Sequence, residues 1–192
     1  MRNRTLMMAL GFSLIATCAT AQNSGGHRHR GFWIGFGFGG GVNMTEGLDG
    51  EHLGGGAGYL RLGGTPSQKV LLGFDGLDWF HGSGNSGIAR GNGTFVVMFY
   101  PSVKGGGLLN GGIGFSSISR ATTSGNSVTT TTETGFGLTL GTGWDVKIGG
   151  NIYLVPGADL LLQWFEAKDD PVLGQIPGTN SIVTFTLGLT WH

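Results

Sequence analysis

Two short motifs, one acidic run and a few scattered charges are the places in this chain where side chains could do chemistry. His81-Gly82-Ser83 sets an imidazole two residues before a hydroxyl, the types that a hydrolase pairs as general base and nucleophile. Gly84 and Asn85 follow, and no carboxylate is placed to orient the imidazole, so a solvated turn is the simpler reading. His27-Arg28-His29-Arg30 offers ligands for a metal or for anionic headgroups, but the run reads more simply as a polar lead. Glu166, Asp169 and Asp170 could gather a divalent cation; their spacing lacks the Asp-x-Asp-x-Asp-Gly pattern of a calcium loop and reads as a solvated acidic loop. The expectation is no catalytic residue, no resident metal and no other cofactor. Arg61, Asp75, Arg90, Glu133 and Asp159 stand apart, each isolated among apolar and small residues, and their meaning depends on the elements that carry them.

Those elements begin after an export signal. Arg2 and Arg4 form a basic start, Leu6 to Ile15 a short apolar core, and Ala19-Thr20-Ala21 a peptidase site before Gln22. The apolar run is too short for a spanning helix, which needs about 20 residues. Residues 1–21 are thus expected to be removed, residues 22–30 to form a flexible lead, and 31–192 to form one domain. Cys18, the single cysteine, leaves with the signal; Thr17 before it argues against a lipoprotein signal. The mature chain then carries nine basic against eleven acidic residues, without the basic excess a nucleic-acid partner would want.

Glycine decides the class. With 41 glycines in 192 residues, interior helices would lose about 1 kcal/mol per glycine relative to alanine. The glycines do not recur at every third position as in collagen, and 12 Phe, 5 Trp and 3 Tyr are too many for a disordered chain. Strands remain. Phe32, Ile34, Phe36 and Phe38 alternate with Trp33 and three glycines; near the other end Val183, Phe185, Leu187, Leu189 and Trp191 alternate with small or polar residues. Six further strands are predicted near 56–62, 69–79, 92–100, 108–117, 132–146 and 151–165. Long connections near 43–55, 81–91, 118–131 and 166–180 alternate with tight ones near 63–68, 101–107 and 147–150. This is the plan of an all-β, eight-stranded antiparallel up-and-down transmembrane β-barrel, with short periplasmic turns and longer outer loops.

A soluble barrel would bury the oily face and wet the other. Here the second face is rich in Gly, Thr, Ser and Asn, too small and polar for a dry core, so the oily face is expected to meet lipid. Arg61, Asp75, Arg90, Glu133 and Asp159 fall on the inward parity, as an internal salt-bridge plug or a narrow water path would require; eight strands leave little room beyond side chains, which favours the plug. Asp78 falls on the lipid parity, where either a bulge or the strand's exit into water would accommodate it. Trp144, Trp164 and Trp191 are candidates for the interfacial aromatic girdles, whereas Trp33 and Trp79 face inward by strict alternation.

On Gly31-Phe32-Trp33-Ile34-Gly35, Phe99-Tyr100-Pro101, Asn110-Gly111-Gly112-Ile113-Gly114, Gly141-Thr142-Gly143-Trp144-Asp145 and the last strand, the chain resembles the outer-membrane β-barrel domain family of the OmpA-like and OmpX-like eight-stranded kind. The resemblance covers Gly31 to His192 and implies residence in a bacterial outer membrane, with its lipids and its assembly machinery as partners. Members usually end in an aromatic residue, where this chain has His192 after Trp191. The expected role is a non-enzymatic barrel whose outer loops serve envelope structure, adhesion or surface interaction with a partner the sequence does not name. A narrow channel for small solutes is the alternative. A lipid-modifying enzyme would rest on His81 and Ser83 alone, a pair superficially like the His-x-Ser of outer-membrane lipid A deacylases.

Overall fold

The computed structural model describes residues 29, 31–45, 53–84, 86–124, 127–170, 174–176 and 178–192; the signal segment, His27, Arg28 and Arg30 lie outside them. Every described element is a strand: β1 (Gly31–Asn43), β2 (Leu53–Ser67), β3 (Val70–Ser83), β4 (Ser86–Phe99), β5 (Gly107–Ser124), β6 (Ser127–Trp144), β7 (Val146–Gly149), β8 (Ile152–Trp164), β9 (Lys168–Asp170), β10 (Gly174–Ile176) and β11 (Thr179–Trp191). Neighbours in the chain pair antiparallel from β1 to β6; β8 pairs with β6 and β11, and β11 returns to β1 from Ile34↔Trp191 to Asn43↔Ile182. The ring is closed by eight strands, with β7 a short continuation of β6 along β8 and β9–β10 a separate hairpin. Closure leaves no bare sheet edge in the wall, which is the condition for crossing hydrocarbon.

Period-two alternation sorts the side chains. Phe36, Phe38, Leu60, Phe74, Phe95, Leu109, Ile113, Phe115, Phe136, Leu140, Phe185 and Leu187 stand exposed on the outside. Such a continuous apolar surface is matched to acyl chains and not to water. Trp144, Trp164 and Trp191 lie on this outer face at strand ends, two at the end where β1 begins and β11 finishes (the turn end) and Trp164 at the opposite (hairpin) end. Trp33 and Trp79 are fully buried inside.

Asp78 is exposed on the outer wall between Phe74 and Phe80, and the β3–β4 register runs through it without a bulge. Of the two accommodations open to the sequence, the bulge is therefore excluded. Pro156 lies opposite the break between β6 and β7, between the pairs Gly143↔Gly157 and Val146↔Leu154, where the ladder does not ask for its missing N–H.

Two of the four expected long loops are instead hairpins. The β3–β4 ladder runs to Ser83↔Ser86, with Gly84 at φ 58 in the turn, and the β5–β6 ladder runs to Ser124↔Ser127. After Ile118 the residues to 131 are mostly Ser and Thr at both parities, so the sequence shows no amphipathic alternation, yet Thr and Val are good strand formers. The β2–β3 pairing starts only at Gly56↔Phe80 and the β6–β8 pairing only at Phe136↔Trp164. Consequently β3 to β6 rise above the rest of the rim as a four-stranded flap.

Glycines on the inner wall make room for the few large side chains inside. A Cβ at Gly37 would stand 2.8 Å from Cζ of Tyr59 and 2.9 Å from the Cα of Gly188. Gly37→Val is expected to destabilise the barrel by about 1–3 kcal/mol through overpacking. Urea titration in detergent micelles reads this, and wild-type stability in the variant would refute the packing role.

Candidate functional site: the filled lumen

The lumen is built in layers along the strands. Nearest the turn end Trp33, Leu71, Val96, Met98, Leu108 and Val155 form an apolar layer, backed by Tyr100 and Tyr153. Trp33 Nε1 donates to the Gly64 carbonyl at 3.2 Å, so its polar edge is satisfied at the wall.

Arg61, projecting from β2, holds the middle. Its Nε lies 3.1 Å from Asp75 Oδ1 and its Nη2 donates to Asp159 Oδ1 at 2.8 Å. Asn110 Nδ2 donates to the same Asp159 oxygen at 2.9 Å, and the guanidinium carbon sits 4.3 Å from the centre of the Tyr59 ring. The three charged side chains are almost wholly buried. Two carboxylates around one guanidinium would repel without it, so Arg61 is the keystone of the group.

Toward the hairpin end an amide network follows. Asn92 Nδ2 donates to the Leu138 carbonyl and to Thr139 Oγ1; Gln163 Nε2 donates to the Gly91 carbonyl and Asn92 Oδ1; Asn180 Nδ2 donates to Gln163 Oε1 at 2.9 Å. Leu77, Trp79, Leu161 and Ile182 pack as a second apolar layer, with Trp79 Nε1 donating to the Gly41 carbonyl at 3.1 Å. The ionic group thus lies between the two apolar layers, and the amide network lies beside and beyond the second, with Asn92 paired to Leu77 and Gln163 and Asn180 two residues past Leu161 and Ile182.

The five charges singled out in the sequence therefore separate. Arg61, Asp75 and Asp159 meet; Arg90 is buried nearer the hairpin end, on the inward face with Arg120, and its Nε and Nη1 have no hydrogen-bond partner among the described residues. Glu133 does not join the lumen group: it pairs with Ile118 in the flap and binds Lys168 Nζ at 2.8 Å, with both side chains substantially exposed. Parity placed Glu133 on the inward side, but depth along the strand, which parity does not give, put it above the rim.

His81 Nδ1 donates to the Gly54 carbonyl at 2.8 Å and its ring stacks on Trp79, 6.2 Å between centres at 11°. A histidine so engaged serves as packing over the second apolar layer. Glu166, just before the β9–β10 hairpin, and Asp169, within β9 and paired with Gln175, are exposed. His29 departs from the expected solvated lead: it is 1% exposed, packed on Tyr100 with ring centres 4.2 Å apart. The uncharged network of Asn92, Asn110, Gln163 and Asn180 was not singled out from the sequence, although all four lie on the inward parity and that signal was available.

No protein-family model matches the chain, and no curated protein matches its sequence. Solved structures do match its shape. Neisserial surface protein A (NspA) aligns with TM-score 0.60 at 12% identity, covering 85% of this chain and 98% of that one. Ail, the attachment invasion locus protein of Yersinia pestis, in complex with the heparin analogue sucrose octasulfate, aligns with TM-score 0.56 at 12% identity, covering 84% and 98%. The fold is that of the eight-stranded outer-membrane barrels. At this identity the likeness concerns the path of the backbone, and the barrel's interior has to be read from its own side chains.

Proposed function

We propose that this chain is a non-enzymatic, occluded barrel of the bacterial outer membrane, held by lipid around its apolar belt, inserted by the outer-membrane assembly machinery, and acting through its hairpin end in surface interaction. The observation that carries this reading is the lumen, filled by two apolar layers with a buried ionic group between them and a buried amide network beside and beyond the second. A water path needs a continuous polar lining wide enough for a hydrated ion, and the two layers interrupt it. This supports the plug over the channel.

The flap supports the choice of the hairpin end, because it sets a broad polar face beyond the belt. NspA is named a surface protein and Ail an attachment protein, and an outward-facing role of that kind fits the geometry here.

Planar-bilayer recording tests the reading. Purified barrel, shown to be inserted by heat-modifiable gel mobility, is expected to be electrically silent across the usual voltage range. Steady single-channel steps from the folded form would overturn it in favour of a solute channel.

A further inference from the structure

Beneath the first apolar layer, the turn end is floored by side chains that occlusion alone does not require to be ionisable. His29 precedes β1, Asp145 lies between β6 and β7, and His192 follows β11; all three are buried. Nδ1 of His29 lies 3.3 Å from Nδ1 of His192, and Nε2 of His192 lies 3.5 Å from Oδ2 of Asp145. One ligand atom from each residue falls within 4.8 Å of those of the other two. The Tyr100 hydroxyl donates to Asp145 Oδ2 at 3.0 Å, and Tyr153 meets His192 edge-on with ring centres 5.1 Å apart. Burial beside Asp145 pushes the Tyr100 phenol well above its ordinary range, so it stays a donor to that carboxylate.

We propose that His29, Asp145 and His192 form a binding site for one divalent transition-metal ion, with Zn²⁺ the ion its chemistry suits best. Two imidazoles and one carboxylate are a zinc donor set, whereas Mg²⁺ and Ca²⁺ demand oxygen ligands throughout. Metal–ligand bonds of about 2.0–2.2 Å hold ligand atoms about 3.3–3.5 Å apart in a tetrahedron. The two contacts above have that spacing but reach different nitrogens of His192, Nδ1 toward His29 and Nε2 toward Asp145, so one of these nitrogens would have to serve as the ligand and the three side chains would have to close in from a spread of up to 4.8 Å.

A bound dication would also compensate the buried Asp145 carboxylate. The Tyr100 hydroxyl would then act as a positioning residue, orienting the carboxylate from outside the coordination sphere. The ion would tie more firmly together the lead before β1, the β6–β7 junction and the residue after β11, which already meet through these side chains. This site is independent of the surface role proposed above.

The test uses the mature chain refolded in detergent, stripped with EDTA and titrated with Co²⁺ alone, followed by visible d–d absorption, and with Zn²⁺ alone, followed by calorimetry and melting temperature. One ion per chain and a raised melting temperature are expected. His29→Gln and His192→Gln should each weaken binding by at least about 100-fold, Tyr100→Phe by about 10-fold, and His81→Gln not at all. Heat-modifiable mobility verifies that each variant is folded; should His192→Gln not fold, His29→Gln lies outside every strand and carries the comparison. Absence of Co²⁺ absorption in the wild type, or undiminished binding by folded His29→Gln, overturns the proposal.

Discussion

Arg61→Leu is expected to cost the barrel about 3–5 kcal/mol. The guanidinium lies between Asp75 and Asp159, and removing it leaves two buried carboxylates facing each other with Asn110 as the neutral donor that remains on Asp159. Asp75→Asn should cost much less, because Arg61 keeps Asp159 as a counter-charge. Removing all three charges together with residues of matching volume should recover most of the loss, since the desolvation penalty then disappears with the attraction. Urea unfolding of vesicle-inserted protein, followed by tryptophan fluorescence and heat-modifiable mobility, measures each case. A loss below about 1 kcal/mol for Arg61→Leu would mean that water reaches the group, and with it the occluded lumen would fall.

On the outside of the wall, Ile113→Lys is expected to cost about 2–4 kcal/mol. Ile113 is exposed on the outer face of β5, with Leu109 nearer the turn end and Phe115 toward the hairpin end. A lysine placed at Leu109, two residues after the strand begins at Gly107, can reach the interface along its own stem and should cost only about 0–1 kcal/mol. The contrast matters more than either value: a soluble protein would tolerate both lysines, or be improved by them. Equal effects at the two positions in a folding titration against lipid vesicles would contradict the belt.

The wall was the most legible part of this protein because a strand repeats every two residues and the two solvents around it differ. Phe32 to Phe38 and Val183 to Trp191 announce both the strands and the side that meets lipid, and closure follows once eight such segments are counted. The flap was illegible by the same logic: from Ser119 to Thr134 serine and threonine stand at both parities of the sequence, so nothing distinguishes a paired strand from a polar loop. Parity also selects a direction and not a depth. It placed Arg61, Asp75 and Glu133 on the same side, and only the ladder shows that Glu133 stands above the rim with Lys168. His29 escaped because nothing local to the lead describes the floor it plugs; Tyr100, Asp145 and His192 are brought there by turns and strand ends far along the chain.

The raised hairpins give the molecule a front and a back. Past Phe115, the last large apolar residue on the outward face of β5, the strand continues nine residues to Ser124, roughly 30 Å at about 3.3 Å per residue. The headgroup layer of one leaflet is only about 5–8 Å deep, so even steeply tilted this palisade of serine and threonine clears it. An approaching macromolecule would meet that screen from one azimuth before it could touch the bilayer, and turning the barrel about its axis would present or conceal it.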